Sequence, residues 1–166
     1  MFQIGDYVVY KREVCKINKI KEKMFRNKDY YILNPIGDTS LTINVPTDNN
    51  LIRSVISKDD ALSLIEVIPS IEIDFSNDKM IENEYRNLLN SNKLEDTVKV
   101  IKMSYLRNEN RAKLGKKLSE KDEIYLKKAE DILYNELSIS LGMSYEDVKI
   151  ILLVKQVKME YKACFF

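Results

Sequence analysis

Seven basic residues crowd between positions 99 and 117 (Lys99, Lys102, Arg107, Arg111, Lys113, Lys116 and Lys117) against one acid, Glu109. That density suits phosphate contact, because clustered cations release counterions from a nucleic acid. Gly115, between Leu114 and the Lys116-Lys117 pair, would let a loop bring its backbone close to a duplex. The same residues also suit a solvated helix end, where Lys and Arg meet the negative pole of the dipole. Residues 69–84 have the opposite character, with five acids and one lysine.

Other chemistries find little support. The chain has no histidine, so the commonest general base and metal ligand is missing. The paired carboxylates Asp59-Asp60 and Asp122-Glu123 follow Ser57 and Ser119 at capping spacing, which suits the first turns of helices better than acid–base work. Cys15 and Cys164 show no metal-ligand spacing, and Cys15 falls on the apolar side of a strand, a core position. Four glycines form no phosphate-binding pattern. No catalytic residue, cofactor, metal or small-molecule substrate is expected. Tyr30 and Tyr31 are accounted for by packing within a strand. The stretch LTINVP, residues 41–46, reads as an edge strand able to accept a partner strand, or one simply protected by Asn44 and Pro46.

The elements that position these residues divide the chain. Tyr7–Tyr10, Val14–Ile20, Asp29–Leu33 and Leu41–Pro46 are β-branched and aromatic runs, separated by turn residues at Gly5-Asp6, 26–29 and 35–38. Short strands so close together predict a small, bent antiparallel sheet or open barrel. The period then changes. Ser57 opens a short helix through Ala61, Leu64, Ile65 and Ile68, which Pro69 ends. Residues 72–79 read as a linker, and a helix resumes from Ile81 to about Leu89. Leu94, Val98, Ile101 and Tyr105 recur as a buried helical stripe. Ser119 opens another helix carrying Tyr125, Ala129, Ile132, Leu133 and Leu137, Gly142 stops it, and Ser144 starts the last through Val148, Ile151 and Leu152. The tail 157–166 reads as an extension packing Met159 and Tyr161, or as an exposed Phe165-Phe166 for a partner. No internal repeat is present.

With 166 residues, 45% of them hydrophobic, and a formal net charge of +1, the chain is long enough for a real core, and any affinity for nucleic acid must come from local charge asymmetry. The cysteine pattern and the lack of a signal peptide point to a reducing cytoplasm. The apolar run at 150–154 is too short to span a bilayer.

The chain resembles the CarD family of bacterial RNA polymerase-binding transcription regulators. The resemblance rests on FQIGDYVVY (2–10), YYILNPIGD (30–38), LTINVPTDN (41–49), RSVIS (53–57), VKVIKMSYLR (98–107) and LSEKDEIYLKKAEDILYNELSISLG (118–142), in the family's order across roughly residues 1–152. The amino-terminal part alone also resembles the polymerase-interacting domain of transcription-repair coupling factors.

The resemblance implies an α+β chain: a Tudor/SH3-like small antiparallel β-barrel at 1–56, a short helix and linker at 57–80, and a compact all-helical domain at 81–166. It implies docking on the RNA polymerase β subunit through a strand edge, with Lys23, Thr42, Asn44 and Val45 at the contact. Asn44 stands where the family carries a basic residue. It implies promoter DNA as a second partner, for which the basic run supplies Arg107, Arg111, Lys113, Lys116, Lys117 and Lys121 as phosphate contacts. The family's wedge tryptophan is missing, since the chain has none. The matching place is Asp78-Lys79-Met80, where Met80, with Phe75 nearby, is the apolar substitute. The function implied is regulation of open promoter complex stability from a polymerase-docked position. The alternative is an interaction module that binds polymerase or another partner without touching DNA.

Overall fold

Tyr10 pairs with Glu13, and Phe25 pairs with Lys28, so the first two strand connections have only two residues each. Their central residues, Lys11-Arg12 and Arg26-Asn27, all take positive φ (48°, 76°, 50° and 58°). This is the I′ geometry, whose twist matches that of the flanking strands. The computed structural model describes residues 1–74 and 78–163, with side chains as far as Lys155. Phe75, Met159, Tyr161, Cys164 and Phe165-Phe166 lie outside the residues or side chains described.

The five strands are β1 (Tyr7–Tyr10), β2 (Glu13–Phe25), β3 (Lys28–Pro35), β4 (Ile43–Pro46) and β5 (Ile52–Ser54). All pair antiparallel in the order β4-β3-β2-β1-β5, which leaves β4 and β5 as the edges. Val8, Cys15, Ile17, Tyr31, Leu33 and Val45 form the core of the sheet, with Phe2, Ile20 and Ile43 packed against it. Gly5 adopts φ 95° and donates to the Ile17 carbonyl at 2.8 Å, while Ile17 donates back to Asp6 at 2.9 Å, so the Gly-Asp turn anchors the start of the chain onto β2. Cys15 is fully buried, and that burial, with a smaller push from Glu13, raises its thiol to about 11. β2 runs five residues past the expected Ile20. Residues 21–25 are all exposed, so no alternation marks them as strand.

Five helices follow: α1 (Lys58–Val67), α2 (Ile81–Asn90), α3 (Leu94–Lys113), α4 (Glu120–Leu141) and α5 (Tyr145–Ala163), with a 3-10 turn at Ile68–Ser70 containing Pro69. α3 and α4 form the main packing pair, with α1 and α5 also against α4 and α2 against α3. Val98 and Met103 of α3 and Leu133 and Leu137 of α4 are buried. Tyr105, expected in the buried stripe, is exposed, because α3 continues to Lys113 and its buried side passes through Met103, Ser104 and Asn108. α3 and α4 end alike. Gly115 and Gly142 take φ 66° and 63°, and the next residues, Lys116 and Met143, donate back to Arg111 and Ser138 at 2.9 and 3.0 Å. These are Schellman caps, which need the left-handed conformation that glycine adopts without a Cβ penalty.

The chain divides into two units, Met1–Ser57 and Lys58–Phe166. α1 belongs to the second, since it packs on α4, and so it differs from the expected connecting segment at 57–80. Among the described residues, no helix is long and apolar enough to cross a membrane.

Candidate functional site

β4 meets β3 with Ile43 opposite Leu33, Asn44 opposite Ile32, Val45 opposite Tyr31 and Pro46 opposite Tyr30. Thr47, the next residue, donates its N–H to the Asp29 carbonyl at 2.9 Å. Backbone groups alternate sides along a strand, so Thr47, Val45 and Ile43 bond inward to β3, and Asn44 and Pro46 turn outward. Pro46 has no N–H to give, and at an outward position its lack costs no ladder bond. Its carbonyl is taken by the Asn49 N–H at 3.0 Å. What remains at the open edge is the N–H and C=O of Asn44, the pair that an added antiparallel strand would engage.

The expected contact residues occupy different positions around this edge. Thr42 precedes the strand and is exposed, its hydroxyl accepting from the Asn34 side-chain amide at 3.3 Å. Val45 is 1% exposed within the core and its backbone faces Tyr31, so it holds the edge in place. Lys23 lies across β3 from the Pro46 end. Its N–H binds the Asp29 carboxylate at 2.9 Å, and the Asp29 carbonyl binds Thr47, which links β2, β3 and the end of β4 in one row. Lys28 closes the same end with a 2.6 Å ion pair to Asp48, whose carboxyl is thereby held below its usual range.

In the helical unit the basic run is largely engaged with its own chain. Arg107 has a side chain only 17% exposed; its Nε lies 3.3 Å from both carboxylate oxygens of Asp122, and its Nη1 pairs with Asp78. Asp122 is fully buried and also accepts the Tyr85 hydroxyl at 2.7 Å. Burial first, and then that hydrogen bond, push the Tyr85 phenol far above its ordinary value, so it stays a neutral donor. Buried Asn108 clamps the start of α4, accepting the Ser119 N–H at 2.8 Å. Lys102 donates to the carbonyls of Pro69 and Ile71 at 3.4 and 2.8 Å, and its burial lowers its pKa.

The expected phosphate ligands are therefore unequal. Arg107 is a structural bridge, and Arg111 donates from Nε to the Lys117 carbonyl at 2.8 Å. Lys113 pairs with Glu109 at 3.2 Å and Lys121 with Glu82 at 2.9 Å, exposed pairs of little strength that a phosphate can replace. Lys116 and Lys117 are exposed and make no ion pair among the described residues. Asp78 and Glu82, from the acidic stretch, neutralise part of the charge that composition assigns to one face. Met80 is 55% exposed, but it borders a groove of about 340 Å³ with Asn83, Glu84, Asn87, Leu88 and Asp96, and no cation lines that groove. The carboxylates of Glu84 and Asp96 in that lining oppose phosphate.

Sequence reasoning missed Asp122 and Tyr85. The Ser119-x-x-Asp122 spacing does mark a cap, for Ser119 Oγ accepts the Asp122 N–H at 3.3 Å, but the side chain of Asp122 serves partners 15 and 37 residues away. Among the described residues, no cluster of His, Cys, Asp and Glu could hold a metal ion.

Residues 2–56 match the family model of the CarD-like/TRCF RID domain. The sheet unit is a CarD-like RNA polymerase-interacting domain. The match covers about a third of the chain and ends beside the boundary of the sheet unit at Ser57. No curated protein matches the chain. The match supports an RNA polymerase-interacting family for this unit, and β4 is one of its two open edges, on the side of Asn44.

Proposed function

We propose that this chain is a transcription regulator that docks on the β subunit of RNA polymerase by adding a strand of that subunit to the outer edge of β4. From there its helical unit alters the stability of open promoter complexes. The observation that carries the reading is the backbone alternation of β4, which leaves Asn44 able to form a two-bond pair at the edge of a CarD-like domain. Lys116 and Lys117, with Lys113 and Lys121 after exchange of their ion pairs, are the cations available for DNA phosphates, which they would position without reading sequence. Contacts made only in the open state favour it by their differential free energy, with about 1.4 kcal/mol giving a tenfold change in population.

A second reading, docking without any DNA contact, is favoured by one observation: Arg107 and Arg111 are tied to Asp122, Asp78 and the Lys117 carbonyl. One experiment separates the two. The lifetime of open complexes formed by the cognate polymerase is measured with wild type, Asn44→Pro and Lys116→Glu/Lys117→Glu, beside binding to the isolated β-subunit lobe. Docking with DNA contact requires Asn44→Pro to lose lobe binding and the lysine variant to keep it while losing the lifetime effect. An unchanged lifetime for the lysine variant supports docking alone. Full lobe binding by Asn44→Pro would overturn the edge reading.

A further inference from the structure

A second basic run lies in the sheet unit. Residues 11–28 hold eight basic residues and two acids, Glu13 and Glu22, the same excess of cations as residues 99–117. The register of β2 sorts them. Lys16 is opposite Asn34 and Ile17 opposite Leu33; Asn18 then has no partner, and Lys19, Ile20 and Lys21 are opposite Ile32, Tyr31 and Tyr30. Unbroken alternation would turn Lys19 and Lys21 to the side of Ile17, into the core. The extra residue resets the parity, so Ile20 packs on the core beside Tyr31, and Lys19 and Lys21 join Lys16 on the outer face. Asn18 holds this bulge by donating to the side-chain oxygen of Asn34 at 2.6 Å. Both acids alternate to the other side, Glu13 with Cys15 and Ile17, Glu22 with Ile20. The result is a row of three exposed lysines about 16 Å long at the rise of an extended strand. None of the three makes an ion pair among the described residues. The positions paired with the row are Tyr7 on β1 and Asn34, Ile32 and Tyr30 on β3, none of them acidic. Tyr7 and Tyr30 are half-buried, and the Lys16 ammonium lies 5.8 Å from the centroid of the Tyr7 ring.

We propose that this outer face of the sheet binds single-stranded nucleic acid, with Lys16, Lys19 and Lys21 along its phosphates and the rings of Tyr7 and Tyr30 against its bases. The bulge serves the core by turning Ile20 inward, but the core is indifferent to what stands at 19 and 21, where any polar residue would do. Like charges aligned without counter-charges repel one another, and a polyanion laid along them removes that repulsion. A single line of cations with an aromatic ring at each end matches one phosphate backbone with unpaired bases, the combination on which single-strand binders rely. A duplex keeps its bases stacked on each other, and an acidic protein surface answers the charge but gives the rings nothing to stack on. The face is also compatible with docking at β4 and does not rest on it. β2 lies two strands in from β4, and a strand added at that edge extends the sheet in its own plane, leaving the lysine row uncovered.

The test is a fluorescence-anisotropy titration of the full chain against short oligothymidylate, oligouridylate and duplex DNA over a range of salt, with thermal unfolding of each variant as the check on the fold. Lys16→Gln/Lys19→Gln/Lys21→Gln is expected to weaken single-strand binding about tenfold or more at low salt and to lower its salt slope by about 2, at unchanged Tm. Lys16→Arg/Lys19→Arg/Lys21→Arg should retain both. Tyr7→Leu/Tyr30→Leu is expected to lose about fivefold or more in affinity with the slope unchanged, and Tyr7→Phe/Tyr30→Phe to keep it. Lys116→Glu/Lys117→Glu, in the helical unit, should bind the single strands within twofold of wild type. Binding of either oligonucleotide in this pattern supports the proposal, and the tighter one names DNA or RNA as the source of the strand. Wild-type affinity and slope in the glutamine variant would overturn it. Loss of single-strand binding with Lys116→Glu/Lys117→Glu instead would move the contact to the helical unit. Equal losses on duplex and single strands, with no effect of the tyrosine variants, would overturn single-strand recognition in favour of a phosphate contact to any nucleic acid.

Discussion

Asn44 in the sheet unit holds its N–H and C=O toward an open edge, whereas Arg107 in the helical unit has its guanidinium committed to Asp122 and Asp78. Both belong to stretches whose composition suits binding a partner. The first is set by backbone alternation, which pairing with β3 fixes and no side chain can cancel. The second depends on side chains free to find counter-charges within their own unit, and Asp78, Glu82 and the buried Asp122 supply them. Counting cations along a chain therefore overstates what a partner meets, while counting strand positions from a proline does not.

The largest test of the contrast is Asp122→Ala, which strands Arg107 and removes the acceptor of Tyr85. Removing one partner of a buried ion pair costs about 3–5 kcal/mol. Urea unfolding followed by hydrogen exchange is expected to show that loss in α2–α4, with β2 and β3 protected as in wild type. A loss below about 1 kcal/mol would mean that Arg107 is not a structural residue.

Next in size is a neighbouring pair on β4. Val45→Ala removes packing from the sheet core and is expected to destabilise that unit by about 2 kcal/mol. Asn44→Ala is expected to change stability by less than about 0.5 kcal/mol. It should also keep affinity for the β-subunit lobe, because the proposed docking engages backbone groups. Loss of lobe binding by Asn44→Ala at unchanged stability would move the recognition from backbone to side chain.

Much of this architecture is legible in the amino acids themselves. The alternation in Val14–Ile20, the proline after Val45, and Gly142 behind the Ser119 helix report strand, edge and stop through local physics. Residues 21–25 of β2 are not legible, because a ribbon exposed along its length has no apolar period to show. Tyr105 is misplaced by its spacing, since the period that places Leu94, Val98 and Ile101 says nothing of what α3 meets beyond them. Asp122 reads as part of the cap in its own turn, and its bonds to Tyr85 and Arg107 are long-range facts that spacing does not encode. The division of the basic run into engaged and available cations is hidden for the same reason.

A smaller effect sharpens that division. Lys116→Glu/Lys117→Glu is expected to leave stability within about 0.5 kcal/mol and to reduce the salt slope of duplex DNA binding by about 2, one for each phosphate that the lysines no longer neutralise. Arg107→Ala should do the reverse, lowering stability and keeping the slope. Equal slopes for the lysine variant and wild type would leave the loop without a phosphate role.

The smallest effect is acidic. The hydrogen bond from Arg107 holds the Asp78 carboxyl below its usual range, and Lys121 and then Arg86 do the same for Glu82. A lowered carboxyl stabilises the fold above its unfolded pKa of about 4, and that contribution is lost as pH falls through the lowered value. Tm measured from pH 6 down to pH 2 is expected to drop less for Asp78→Asn/Glu82→Gln than for wild type. Identical drops would show that neither ion pair persists in solution.

The two-residue turns at Lys11-Arg12 and Arg26-Asn27 also bear on timing. They make the pairings of β1 with β2 and of β2 with β3 close in sequence, and all five strands lie within the first 57 residues. Pairings so local form quickly. On a ribosome adding about 5–20 residues per second, the docking edge can be complete several seconds before the last helix has been made. A nascent chain that engages polymerase by β4 would thus reach its partner before its helices could influence a promoter.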